Sequence, residues 1–184
     1  MLFSYKQCIE QYGSDRKLKQ AIGDGQIFKI EKGIYSDNEY VPELSVISMK
    51  YPNVIFTLNS AFYYHGLTDV IPNFYYLATP KNRKRIKDKR VKQIYENSKE
   101  LYLGAVSMEY NNTSIKIYNK ERMLVELIRN KNMLPFDYYK EIIINYRRII
   151  EKLDIQLIQE YVYALPKTSM IMEVLEMEVL WKMF

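Results

Sequence analysis

From Asn119 to the end of the chain, apolar residues recur at helical spacing, and no earlier stretch sustains that rhythm for so long. Met123, Leu124, Leu127 and Ile128 share one face. Tyr139, Ile142, Ile143, Tyr146, Ile149 and Ile150 share another, across residues 136–153. Asp154 can cap a helix over residues 155–165 that Pro166 ends, and Ile171, Val174, Leu175, Met177 and Trp181 mark a last helix over residues 168–184. Before Asn119, short apolar runs at residues 54–57, 73–79, 93–96, 101–110 and 113–118 read as strands, the last two joined by a turn at Asn111–Asn112. Strands followed by helices predict an α+β fold.

The opening segment has a different order: helix, turn, helix, hairpin. Tyr5, Cys8, Ile9 and Tyr12 fall on one helical face, and Gly13 can stop that helix. Ser14 or Asp15 can cap a second helix reaching about Gly23, with Leu18, Ala21 and Ile22 inward and Arg16, Lys17, Lys19 and Gln20 outward. Two short strands follow, joined near residues 31–33. This predicts a shortened winged helix-turn-helix over residues 1–40, then a mixed α/β domain over residues 41–184 ending in helices. Residues 14–22 form the expected recognition helix, so Ser14, Arg16, Lys17, Lys19 and Gln20 are candidate DNA contacts. Lys29 and Lys32 are the candidate wing contacts. The first helix of a three-helix module is missing or very short, so this module is expected to lean on the rest of the chain. Residues 44–51, between Pro42 and Pro52, read as a helical link. Asn59 or Thr57 can cap a helix through His65 that Gly66 ends.

Charge separates the two halves. Residues 1–92 carry fifteen Lys and Arg against nine Asp and Glu, whereas residues 93–184 carry twelve against thirteen. A localised basic field concentrates polyanions. Its densest part is residues 81–92, with eight cations opposed only by Asp88. Lys81, Arg83, Lys84, Arg85, Lys87, Lys89 and Arg90 are therefore a second candidate phosphate-binding set. DNA, RNA and an acidic protein all fit such a run, and so does a solvated loop. Tyr63, Tyr64, Tyr75 and Tyr76 could stack on bases, although core packing is the more ordinary role for such rings.

Catalytic chemistry has little to work with. His65 is the only histidine and Cys8 the only cysteine, so a Cys/His-dominated zinc site is unavailable. No GxxxxGK[ST] and no GxGxxG loop occurs. Ser60 and Asp69 lie too near His65 in sequence for their coincidence to suggest a triad, and Asp69 and Glu96 lack nuclease spacing. No catalytic residue, metal or cofactor is expected. A lone cysteine permits no internal disulfide, which suits the cytoplasm, and Cys8 is expected in the core. The N-terminus lacks a signal pattern. The longest uncharged run, residues 51–68, contains Pro52, Asn53, His65 and Gly66, so no membrane span is expected.

Three segments carry a resemblance. They are IFKIEKGIYSD (residues 27–37), TLNSAFYYHGLTDVIPNFYYLATPKNRKR (57–85) and IYNKERMLVELIRNK (117–131). Their order and spacing resemble the AbiEi antitoxin family. Its S-A-x-x-x-H-G-L-T-x-x-I-P segment falls on Ser60, Ala61, His65, Gly66, Leu67, Thr68, Ile71 and Pro72. Its E-R-[TM]-L-[VI]-[DE] segment falls on Glu121, Arg122, Leu124, Val125 and Glu126. Its wing pattern falls on Gly25, Ile27, Ile30, Gly33, Ile34 and Tyr35. The resemblance implies a non-enzymatic autorepressor that binds inverted repeats in its own operator, with room for a dimer on the double-stranded DNA. It also implies the antitoxin role of a type IV toxin–antitoxin pair, opposing a nucleotidyltransferase-like toxin. The alternative is a protein-interaction or RNA-binding module without operator binding. Read from the residues alone, the motifs are architectural, with Glu121 and Arg122 forming ion pairs that fix a helix to the sheet.

Overall fold

In the computed structural model, which describes residues 1–180, the chain is α+β and holds two separate sheets. Trp181, expected in the last helix, lies outside the described residues. Contacts divide the chain into two compact units. The first is Met1–Pro52 with Asn111–Ser114; the second is Asn53–Tyr110 with the chain from Ile115 onward.

The first unit begins with a strand that the periodicity did not announce, β1 (Leu2–Ser4). Three residues are too few to show alternation. Ser4 then caps α1 (Tyr5–Tyr12): its Oγ accepts from Gln7 N–H, and the Gln7 side chain accepts from Ser4 N–H. Gly13 ends α1 at φ +82°, where a side chain would be strained. Ser14 caps α2 (Asp15–Gly23) by accepting from Lys17 N–H. The hairpin of β2 (Phe28–Glu31) and β3 (Ile34–Ser36) follows, and β3 lies between β1 and β2 with both pairings antiparallel. Cys8, Leu18, Ala21, Ile27 and Tyr35 form the core, flanked by Phe3, Ile9, Tyr12 and Ile22. That core is small. It is extended by α3 (Glu43–Lys50), which buries Leu44, Val46 and Ile47. Lys50 pairs with Glu31 at 2.8 Å. The Ser45 and Thr113 hydroxyls lie 2.5 Å apart, and Ser48 donates to the Ser114 carbonyl.

The second unit is built on a five-stranded sheet. In chain order its strands are β4 (Ile55–Phe56), β5 (Tyr75–Pro80), β6 (Val91–Glu96), β7 (Ala105–Tyr110) and β8 (Thr113–Tyr118), the first two residues of β8 being counted with the first unit. Their spatial order is β6-β5-β4-β8-β7. The expected strand over 101–110 starts only at Ala105, because residues 101–104 form turns that end on Gly104 at φ +76°. Asn111 and Asn112, both at positive φ, make the β7–β8 turn. The helix α4 (Leu58–Tyr64) follows β4; besides short 3-10 turns at Lys131–Met133 and Ile150–Lys152, four α-helices and a π-helical turn follow β8 among the described residues.

These are α5 (Lys120–Arg129), α6 (Phe136–Ile149), α7 (Ile155–Ala164), α8 (Thr168–Val174) and a π-helical turn over Leu175–Leu180. Asn119 and Asp154 cap α5 and α7. The expected single apolar face on α5 is an underestimate. Arg122 through Ile128 are all buried, because α4 packs on one side and α7 and α8 on others. The last helix does not run straight through either, since α8 passes into the π-helical turn at Leu175.

Candidate nucleic-acid interface

Two surfaces gather the predicted contacts, one in each unit. On α2, burial of Leu18 and Ala21 turns Arg16, Lys17, Lys19 and Gln20 to solvent, since residues one or two apart cannot share a helical face. Lys19 leans on Asp15 at 2.7 Å, but both side chains are exposed. Ser14 faces inward in part, with its hydroxyl committed to the cap. Lys29 on β2 and Lys32 in the turn beyond it are exposed, so the hairpin presents cations as α2 does.

The second surface depends on a pairing that was not expected: β5 and β6 are parallel, with Tyr75 opposite Val91 and Pro80 opposite Glu96. A parallel partner requires the chain to travel back along the strand. Six strand residues span about 20 Å. The ten intervening residues, 81–90, would cover only about 15 Å as a helix, so they run back in irregular, stretched backbone. The basic run is thus a strap across the sheet rather than a free loop. Gln93 pins it: its Oε1 accepts from Ile86 N–H at 2.8 Å, and its Nε2 donates to Thr79 Oγ1 at 2.7 Å and to the Lys84 carbonyl at 3.4 Å. Arg83 N–H donates to the Pro80 carbonyl at one end, and Val91 N–H to the Asp88 carbonyl at the other.

Of the predicted cations in the strap, Lys81, Arg83, Lys84, Arg85, Lys87 and Lys89 are exposed. Arg90 differs. It is half-buried and grips Asp88 through two nitrogens, at 2.9 and 2.7 Å. That pair holds the one acid of the run. Lys92 belongs to β6, which begins two residues earlier than expected, and its Nζ sits 5.3 Å from the Tyr76 ring centre.

The motif residues set the scaffold behind this surface. His65 Nε2–H donates to the Tyr118 carbonyl at 2.7 Å, and burial pushes the imidazole pKa below its ordinary value. Ser60 Oγ donates to the Phe74 carbonyl and accepts from Tyr76 N–H, tying α4 to β5. Arg122 is wholly buried. Its Nε donates to Glu126 Oε1 at 2.9 Å, its Nη1 reaches the Glu100 and Leu103 carbonyls, and its guanidinium lies 4.7 Å from the Tyr118 ring centre. The acid that pairs with Arg122 is therefore Glu126, one helical turn on, whereas Glu121 accepts from Asp154 N–H. Arg129 also pairs with Glu126, at 2.6 Å, and lies 3.8 Å from Glu96. Burial, then the charge of Glu126, hold the Glu96 carboxyl above its usual range, and Arg129 opposes them.

The tyrosines divide between roles. Tyr64 stacks obliquely on Tyr110 at 4.6 Å and edge-on to Phe56, and Tyr63 completes that cluster. Sequence reasoning overlooked Tyr95, which stands 43 % exposed beside the strap. Its signal was available: position 95 alternates with Gln93 on one face of β6. Among the described residues, no group of three or more His, Cys, Asp or Glu is placed to hold a metal, and no helix is long and apolar enough to cross a membrane. No protein-family model matches the chain, and no curated protein matches it either.

Proposed function

We propose that the protein is a cytoplasmic, DNA-binding autorepressor of the AbiEi type and the antitoxin partner of a nucleotidyltransferase-like toxin. The observation that carries the DNA-binding part is the first unit's build. A capped, solvent-facing helix bearing Arg16, Lys17, Lys19 and Gln20 is followed at once by a hairpin bearing Lys29 and Lys32. A strand, two helices and a hairpin in the order β1-β3-β2 correspond to a winged module without its first helix. An α-helix fits the major groove, and flanking cations fit phosphates. The strap adds sequence-independent phosphate contacts through Lys81, Arg83 and Lys84, with Arg85, Lys87 and Lys89 beyond them. The antitoxin part rests on the resemblance of residues 57–85 and 117–131 to that family.

The test is a gel shift with the DNA immediately upstream of the protein's own gene. A specific complex should form that survives an excess of random duplex and requires an inverted repeat. Equal affinity for upstream and random DNA would refute operator recognition.

A further inference from the structure

The half of the strap nearest β6 overhangs a groove. Its volume is about 740 Å³, and Arg85, Lys87, Lys89 and Tyr95 line it. A concavity of that size is in the range that holds small molecules, of about 300–1,000 Å³. The groove is pre-formed, because the Gln93 amide bonds the strap's backbone on one side and Thr79 on the other. Asp88 is the single acid on its wall, and Arg90 already grips both its oxygens. Arg85, Lys87, Lys89 and Lys92 therefore give the groove a net positive field. Its aromatic wall is the Tyr95 ring, oriented by the bond from its hydroxyl to Gln93 Oε1 at 3.2 Å.

The four cations that line it, Lys92 among them, select a ligand with several negative charges, and the exposed ring selects a π-face beside them. A duplex is convex and hides its base faces in the stack. A nucleotide with an unpaired base has both features and the right size. We propose that this groove is a nucleotide site, with Arg85, Lys87 and Lys89 on the phosphates and Tyr95 stacked on the base. The chemistry is shared by a free nucleoside triphosphate and by a short single strand. Neither α2 nor the hairpin takes part, so the inference does not depend on operator recognition by the first unit, although it uses cations of the strap that are also offered to duplex phosphates.

The test is equilibrium binding by the full chain of ATP, a mixed-sequence RNA hexamer, inorganic tripolyphosphate and a 20-base-pair duplex. ATP, the hexamer or both should bind saturably, and at least about tenfold more tightly than tripolyphosphate binds, which is the scale of one base–aromatic stack. ATP alone would identify a free nucleotide; the hexamer alone would identify a strand. Tyr95→Ala should remove about that tenfold advantage and leave tripolyphosphate and duplex unchanged, while Tyr95→Phe, which keeps the ring, should retain it. The double variant Arg85→Ala/Lys87→Ala should weaken ATP, hexamer and tripolyphosphate together. Thermal melts of each variant separate loss of binding from loss of fold. Tripolyphosphate binding as tightly as both other ligands, an unaltered affinity in Tyr95→Ala, or its equal effect on the duplex would each overturn the proposal.

Discussion

His65 is the one side chain whose ordinary titration range lies near neutrality. Burial outweighs its bond to the Tyr118 carbonyl and depresses its pKa. The unfolded chain then takes up the proton more readily than the folded one. The stability this contributes is present above the unfolded value of about 6.5 and is lost as pH falls through the folded one. We expect the stability gap between wild type and His65→Gln to shrink on moving from about pH 7.5 to about pH 5, measured by urea unfolding of both. A gap independent of pH would contradict the assignment. Gly104 offers a second test at this scale. It combines φ +76° with a position where a Cβ would meet the Arg122 Cβ at 2.7 Å. Gly104→Ala should cost about 2–4 kcal/mol, since backbone strain and a backbone-anchored clash add. Gly25→Ala, at φ +70° in open space, should cost only about 1 kcal/mol. Equal midpoints for the two variants in denaturant would sink the argument.

At the scale of the element, α2 has a core face and a solvent face. Leu18 and Ala21 face the core, and the cap comes from Ser14. Arg16, Lys17 and Lys19 contribute little to stability, because the only ion pair among them within the described residues, Lys19 with Asp15, is exposed on both sides. The triple alanine variant should therefore unfold within about 1 kcal/mol of wild type and yet bind upstream DNA more weakly. Fluorescence anisotropy at moderate salt measures this, and unchanged affinity would remove α2 from the interface. The strap is the other element whose form has a single cause. Parallel pairing of β5 and β6 leaves ten residues to cover a strand's length, and no regular element of ten residues does so while leaving room to turn.

For the whole molecule, the basic half offers two exposed cationic surfaces, α2 with the hairpin and the strap. If both engage the operator, their counterion release adds. Replacing Arg83, Lys84, Arg85 and Lys87 with alanine should lower the slope of log affinity against log salt by up to about 0.9 per lost phosphate contact. Specific and random duplex should weaken alike, because phosphates carry no sequence information. Parallel salt slopes for variant and wild type would mean that the strap serves only the fold and the groove beside it.

The amino-acid sequence by itself determined what local rules govern. Gly13, Ser14, Asn119 and Asp154 bound their helices because caps and left-handed turns involve residues a few positions apart. The outward set on α2 follows from a period of 3.6 residues, and the Asn111–Asn112 turn from residues that tolerate positive φ. Tertiary structure decided everything that depends on distant neighbours. β1 exists because β3 offers it an edge, not because three residues prefer to be extended. α5 is buried all round because helices from later in the chain cover the side that periodicity would leave wet. Arg122 pairs with Glu126 by local helical spacing, but only the turns before β7 bury the pair, by offering the Glu100 and Leu103 carbonyls to its guanidinium. The basic run became a strap, with Arg90 withdrawn onto Asp88 and Tyr95 beside it, because strand direction is a property of the sheet. No residue in 81–92 encodes whether β6 will lie parallel or antiparallel to β5; that direction belongs to the sheet as a whole.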